Sequence, residues 1–215
     1  MYRLALPNKG RLHDELSTLL DDAGLPLHKH GERALRAPLG PDAEAIFVRA
    51  QDVPELVADG VADAGITGAD LVAEAGRPLC ELLDLQLGAC RLVVACREEL
   101  GVRDVRGLRG RPRVATTFPR SAAAWFAAAG LDVEIVPLSG ACEIAPHLGL
   151  ADVVVDLVAT GSTLRTNGLR ELATIASSTA RLYARRPAEA NGWLGELVLA
   201  LDSVVRARGQ RYLMA

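Results

Sequence analysis

Short apolar runs alternate with longer amphipathic stretches along nearly the whole chain, and this restricts it to an α/β architecture on largely parallel sheets. The runs at residues 3–6, 45–48, 64–66, 92–95, 113–115, 133–136 and 153–157 have the length and apolar content of buried strands. Between them, residues 11–23 carry Leu12, Leu16, Leu19 and Leu20 on one helical stripe and stop at Gly24, which suits a helix end. Helices are likewise predicted over 53–59, 121–129 and 142–148, each followed by glycine, and over 189–208, where Leu194, Leu197, Val198, Leu201, Val204 and Val205 recur at helical spacing. No long flexible linker interrupts the pattern. If the chain forms two lobes, it must cross between them near Gly88 and again after Leu172, which gives a discontinuous lobe of 1–88 plus 173–215 and a second of 89–172.

With 215 residues, half of them hydrophobic and 24% charged, there is enough apolar side chain for a sizeable core. A mean hydropathy of +0.18 excludes a disordered chain. The formal charge of −3 and the 4% aromatic content give no bulk reason to expect nucleic acid or an anionic membrane as partner. No stretch approaches the roughly 18 apolar residues of a membrane span. The chain reaches Arg3 and Lys9 without the apolar run of an export signal, so the cytoplasm is expected. Cys80, Cys90, Cys96 and Cys142 show no C-x-x-C spacing and read as reduced core cysteines. His28 and His30 alternate on a predicted strand with no carboxylate or cysteine cluster beside them, so no protein-borne metal site is expected. The glycine- and arginine-rich excursion over 101–112 reads as a surface loop. Neither a Walker lysine motif nor a Gly-x-Ser-x-Gly elbow is present.

The motif richest in chemistry is the apolar strand ending Asp156-Leu-Val-Ala159-Thr160-Gly161-Ser162-Thr163. Small residues let backbone N–H groups converge on a phosphate, the hydroxyls of Thr160, Ser162 and Thr163 add donors, and a nearby carboxylate can bind sugar hydroxyls or help hold Mg²⁺. The arrangement is similar to the phosphoribosyl-pyrophosphate loop of phosphoribosyltransferases, with Gly161-Ser162 where Thr-Gly-Gly-Thr has its glycine pair and one acid in place of two. A second motif, Pro7-Asn8-Lys9-Gly10-Arg11, joins a strand to a helix start with two cations at a sheet mouth. Lys9 is one of only two lysines among 24 basic residues, the other being Lys29. In a third, a short buried strand ends at Gly68, where a ligand could approach the backbone, and Asp70 is expected to cap the next helix. In a fourth, Ser139 resembles a cap and Glu143 falls in the first helical turn. A plain turn, a solvated basic loop and a structural cap are the alternatives for these motifs taken singly.

Taken together and in this order, the motifs resemble the catalytic subunit of the ATP phosphoribosyltransferase family of histidine biosynthesis. The resemblance runs from Leu4 to about Met214 and includes Val48-Arg49-Ala-Gln-Asp52-Val-Pro54 and Arg113-Val-Ala-Thr116-Thr-Phe-Pro119. It implies two α/β lobes resembling type II periplasmic binding proteins, with the active site in the interlobe cleft. It also implies the reaction: N1 of ATP displaces pyrophosphate from phosphoribosyl pyrophosphate, with Mg²⁺ accompanying the substrates. On that resemblance Ala159, Thr160, Gly161, Ser162 and Thr163 cradle the 5′-phosphate, with Asp156 and Glu143 near ribose hydroxyls or metal. Arg49, Arg33 and Lys9 face the polyphosphates, and Lys9, Gly10, Arg11, Gly68 and Asp70 lie near the ATP. The chain ends about where longer family members continue into a C-terminal regulatory domain. The resemblance therefore implies the short form, a homodimer within a hetero-oligomer that includes a regulatory subunit related to histidyl-tRNA synthetase. A two-lobed solute-binding protein and a phosphoribosyltransferase of the other common fold are the competing readings.

Overall fold

A computed structural model describes residues 1–28, 34–187 and 192–209. Strand β1, Tyr2–Pro7, leads through a three-residue turn into helix α1, Arg11–Asp22, whose Leu16, Leu19 and Leu20 are buried as the leucine stripe requires. β2 (Arg36–Pro38) and β3 (Ala43–Val48) follow, then a 3-10 turn, helix α2 (Val53–Ala58), strand β4 (Ala64–Gly68) and helix α3 (Ala69–Ala75). β5 runs over Cys80–Arg97 and is followed by β6 (Arg113–Thr116), helix α4 (Pro119–Ala128) and β7 (Glu134–Pro137). β8 (Val153–Val158), a short helix α5 (Ser162–Thr166), β9 (Leu169–Ala184) and helix α6 (Trp193–Gly209) complete the order.

The chain divides into two units, one made of Met1–Gly88 with the segment from Thr179 onward, the other of Ala89–Ser178. The return crossing thus lies inside β9 at Ser178–Thr179, rather than just after Leu172. In the first unit β1 pairs in parallel with both β3 and β4, β2 pairs antiparallel with β3, and β9 closes antiparallel on β4. In the second, β6 pairs in parallel with β7 and β8, and β5 runs antiparallel to β8. The sheets are therefore mixed rather than largely parallel.

Each unit has its own core. In the first, Leu4 and Leu6 of β1, Leu16 and Leu19 of α1, and Leu182 of β9 with Leu201 of α6 are fully buried together. In the second, Val93, Val154 and Val158 of the central strands pack with Leu164 and Leu169. Gly65 of β4 exists for packing: a Cβ there would run into the side chains of Val53 and Val57 on α2.

Three local expectations are corrected. The helix predicted over 142–148 is only a 3-10 turn at Cys142–Ile144, and its cap position is Ala141, in the left-handed region at φ 50°, not Ser139. Asp70 does not cap the helix after β4. It lies inside α3, and Gly68 holds the cap position. His28 sits in irregular backbone rather than on a strand, while His30 and Glu189 fall outside the described residues.

Candidate active site

A parallel strand delivers the loop that follows it to the carboxyl edge of its sheet, where α/β proteins gather ligand-binding groups. In the first unit the neighbouring strands β3, β1 and β4 do this with the segments carrying Arg49, Lys9 and Gly68. The segments are tied to one another. The Asn8 N–H donates to the Val48 carbonyl at 2.8 Å, and the Thr67 hydroxyl to the Ala50 carbonyl at 2.7 Å. Lys9, Gly10, Arg49, Gly68 and Asp70 are thereby collected at one edge. The side chains of Lys9 and Arg49 are exposed and make no hydrogen bond or ion pair among the described residues, which leaves two uncompensated cations at this edge. Arg11 is less available, because its Nε stands 3.4 Å from Glu15 one helical turn on. Gly10 opens α1 at φ 87°, in a conformation that other residues adopt reluctantly, and nothing occupies the space over it.

Gly68 behaves differently from its expected role. The space over it is filled by the carboxylate of Asp70, which folds back so closely that a Cβ there would force that carboxylate to move. The glycine thus makes room for the buried Asp70, and any ligand at this edge meets Asp70 together with the Gly68 backbone. Behind this edge lies an ion-pair network that was not foreseen. Arg181 on β9, opposite Thr67, donates to Glu81 at 2.6 Å and stands 3.5 Å from Asp84. Burial, with Glu81 next, pushes the neighbouring Tyr183 phenol up to about 12. Arg33 lies outside the described residues.

In the second unit, β8 ends in the small-residue loop. Ala159 and Thr160 are exposed, Gly161 turns the chain at φ 76°, and Ser162 and Thr163 open α5 with their side chains exposed. The Thr160 and Ser162 hydroxyls hydrogen-bond to each other at 3.0 Å, so the loop already has its donors clustered. Asp156 lies within β8 and receives the Leu157 N–H at 2.7 Å. Burial pushes its carboxyl above the ordinary value, the Leu157 N–H pulls it back, and nearby Glu143 adds a further upward push. Glu143 follows the strained Ala141 and the fully buried Cys142. Burial, then Asp156 and Glu143, drive the Cys142 thiol up to about 11, so it is an inert core group. The structure thus brings Glu143 and Asp156 within electrostatic reach of each other beside the loop. Among the described residues, no group of three or more His, Cys, Asp or Glu could by itself hold a metal ion.

Three residues at the loop escaped sequence reasoning. Arg165 Nη1 donates to the Thr160 carbonyl at 3.2 Å, and Arg91 engages both oxygens of Glu171 at 2.9 and 3.0 Å. An arginine four residues beyond Gly161 was the one available signal, since a single helical turn returns it to the loop. The Arg91–Glu171 pair joins distant strands and had none.

Two α/β units of this kind occur in solute-binding proteins, and the fold is shared with them. A substrate-binding protein of an amino acid ABC transporter superimposes with a TM-score of 0.60 at 12% identity, over 97% of this chain and 93% of that one. The arginine-binding protein of Thermotoga maritima gives 0.60 at 14%, over 98% and 91%. The class is nonetheless that of the glycosyltransferases that transfer a pentosyl group. Residues 49–203 match the family described as HisG, ATP phosphoribosyltransferase. An ATP phosphoribosyltransferase of Gemmatimonas aurantiaca is 58% identical over all of this chain and 77% of its own length, and one of Methanosarcina acetivorans is 44% identical over all of this chain and 75% of its own. A chain of the structure described as the ATP phosphoribosyl transferase (HisG:HisZ) complex from Thermotoga maritima superimposes with a TM-score of 0.81 at 30% identity, over 96% of this chain and 100% of that one. The chain belongs to the ATP phosphoribosyltransferase family. Its reaction joins N1 of ATP to the ribose of phosphoribosyl pyrophosphate, releases pyrophosphate and opens histidine biosynthesis. The solute-binding and other-fold readings fall away.

Proposed function

We propose that the two carboxyl-terminal edges divide the reactants of this transfer. The observation that carries the reading is the second unit's loop, where exposed hydroxyls and backbone cluster around Gly161 at the end of the strand that bears Asp156. Ala159 to Thr163 take the 5′-phosphate, and Asp156 and Glu143 take the ribose hydroxyls. Lys9, Arg49 and Arg33 face the polyphosphates, while Gly10, Arg11, Gly68 and Asp70 border the nucleotide. The nucleophile belongs to ATP, so no side-chain nucleophile is needed. As N1 bonds to the anomeric carbon, the bond to pyrophosphate breaks and its electron pair leaves on the pyrophosphate oxygen. The protein's task is to align two polyanions and to neutralise the charge that departs. Arg49, its side chain exposed and without a carboxylate partner among the described residues, suits that second task.

Mg²⁺ fits this donor set as a substrate-borne ion. Among the described residues no third ligand joins Asp156 and Glu143, so the cation would be held mainly by the substrates' phosphates, with these two carboxylates able to contribute. Bound there, it would screen the pyrophosphate charge. Product formation from ATP, phosphoribosyl pyrophosphate and Mg²⁺ by the parent chain, and its loss in Gly161→Val together with binding of phosphoribosyl pyrophosphate, tests the assignment. Unchanged affinity in that variant would sink it.

We also infer cytoplasmic work with a regulatory partner. No described helix is long and apolar enough to cross a membrane. The Thermotoga neighbour belongs to a two-component complex, which supports a second, regulatory component for this chain. On the family resemblance that component is related to histidyl-tRNA synthetase and the catalytic chains pair as a homodimer. A second reading has its own support: the curated relatives are longer, with this chain spanning 77% and 75% of the two named above, so regulation can instead be carried on a continuous chain. Copurification of a second subunit with the native protein supports the first arrangement. A longer native catalytic chain found by intact mass supports the second.

A further inference from the structure

We propose that Arg165 is a binding residue for the 5′-phosphate at the Thr160–Thr163 loop, and that the Arg91–Glu171 ion pair keeps it available for that role. The inference rests on the loop assignment made above. Arg165 stands on α5, with its Nη1 3.2 Å from the Thr160 carbonyl. The same nitrogen lies 3.0 Å from the position a Cβ would take at Gly161. A guanidinium therefore covers the one loop residue that has no side chain, between the exposed Thr160 and Ser162. Its single bond there goes to a neutral carbonyl, and a guanidinium has five N–H donors in a planar fork that matches a phosphate. Most of that capacity stays uncommitted, because Arg165 makes no ion pair among the described residues.

A competing anion is close by. Glu171 Oε1 lies 3.4 Å from that same Gly161 position. Left alone, this carboxylate would either draw Arg165 away or repel an incoming phosphate. It does neither because both of its oxygens are taken: Arg91 Nη1 reaches Oε2 at 2.9 Å and Nη2 reaches Oε1 at 3.0 Å. Arg91 is itself fixed by a further bond from Nη1 to the Thr174 hydroxyl at 3.1 Å. Arg165 is thus a binding residue and Arg91 a positioning residue that acts through Glu171.

The test uses the full chain with any subunit that copurifies, and phosphoribosyl pyrophosphate alone as the calorimetric probe beside steady-state kinetics. A charge-assisted bond to phosphate predicts that Arg165→Met raises the KM and Kd for phosphoribosyl pyrophosphate about 10- to 100-fold. The KM for ATP should stay unchanged, and Arg165→Lys should recover part of the loss. Arg91→Met should weaken phosphoribosyl pyrophosphate about 10-fold by the same reasoning, and adding Glu171→Gln should restore it by removing the charge that Arg91 had masked. Thr163→Glu, which sets a carboxylate in the exposed loop without straining its backbone, separates the two levels. If Thr163→Glu loses the ligand but Arg165→Met does not, the role of Arg165 is overturned and the loop stands. If Thr163→Glu binds normally, the loop assignment falls and Arg165 falls with it. A double variant no better than Arg91→Met alone, with unchanged thermal unfolding, overturns the positioning role.

Discussion

The two edges of the molecule present charge in opposite ways. At the first unit's edge, the Lys9 and Arg49 side chains are exposed and, among the described residues, uncompensated, on loops tied together by two short hydrogen bonds. At the second unit's edge, charged groups have fixed contacts: Asp156 accepts a backbone N–H, Glu171 is held by Arg91, and Arg165 places one N–H on the loop carbonyl with its other donors left over. The contrast fits the work proposed above for each edge. On that proposal a polyphosphate whose charge grows as it departs would be met by cations free to follow it, and a sugar phosphate that must stay still by preorganised backbone and fixed polar groups.

The contrast can be broken by substitution, and the largest effect should come from the free cation. Arg49→Ala should slow the chemical step on the order of 100-fold, as loss of one donor to developing charge typically does. Single-turnover kinetics check this, and an unchanged rate would remove Arg49 from the departure step. Next, Gly161→Val should weaken phosphoribosyl pyrophosphate on the order of 10-fold or more, since its side chain meets Arg165 and Glu171 and its φ of 76° is strained for a branched residue. Calorimetry reads that change directly.

A smaller effect sharpens the preorganised side. Because burial raises the Asp156 carboxyl, the folded state holds its proton more readily than the unfolded chain does. Stability therefore falls as pH rises from the unfolded pKa through the raised folded one, and the cost is fully present above it. Asp156→Asn should then raise the melting temperature by a few degrees at neutral pH while weakening phosphoribosyl pyrophosphate, and the gain should vanish as pH falls through the folded pKa. A lower melting temperature at neutral pH would show that the charged carboxylate is well solvated after all. Smallest of all, Cys96 and Cys142, both fully buried, should resist a thiol reagent in the native protein at neutral pH and react on unfolding. Rapid native labelling of Cys142 would mean that the carboxylate pair beside it opens readily.

The sequence was most legible where one segment decides its own structure. The stripe Leu12, Leu16, Leu19, Leu20 marks a helix by its spacing alone, and the apolar run into Thr160-Gly161-Ser162 marks a strand and a turn. What could not be read depends on partners far away. β9 passed unnoticed because residues 170–179, Arg-Glu-Leu-Ala-Thr-Ile-Ala-Ser-Ser-Thr, show weak alternation and become a strand only beside β5. With β9 unseen, Arg181 and its network could not be placed. Gly68 was legible as a special position, but its reason was not: the side-chain conformation that folds the Asp70 carboxylate back over it is not set by residue type. Ala141 at φ 50° violates the local preference of alanine, as happens where a backbone is held for a purpose, here beside Glu143.

The discontinuity of the first unit has a consequence for how the chain comes off the ribosome. Ala89–Ser178 is one contiguous stretch and can close its core as soon as it has emerged. The earlier-made residues cannot. β4 waits for its antiparallel neighbour in β9, and the buried face of α1 waits for Leu182, Leu197 and Leu201. The part synthesised first is thus the part completed last, so nascent chains should spend their longest exposed interval with the leucines of β1 and α1 uncovered.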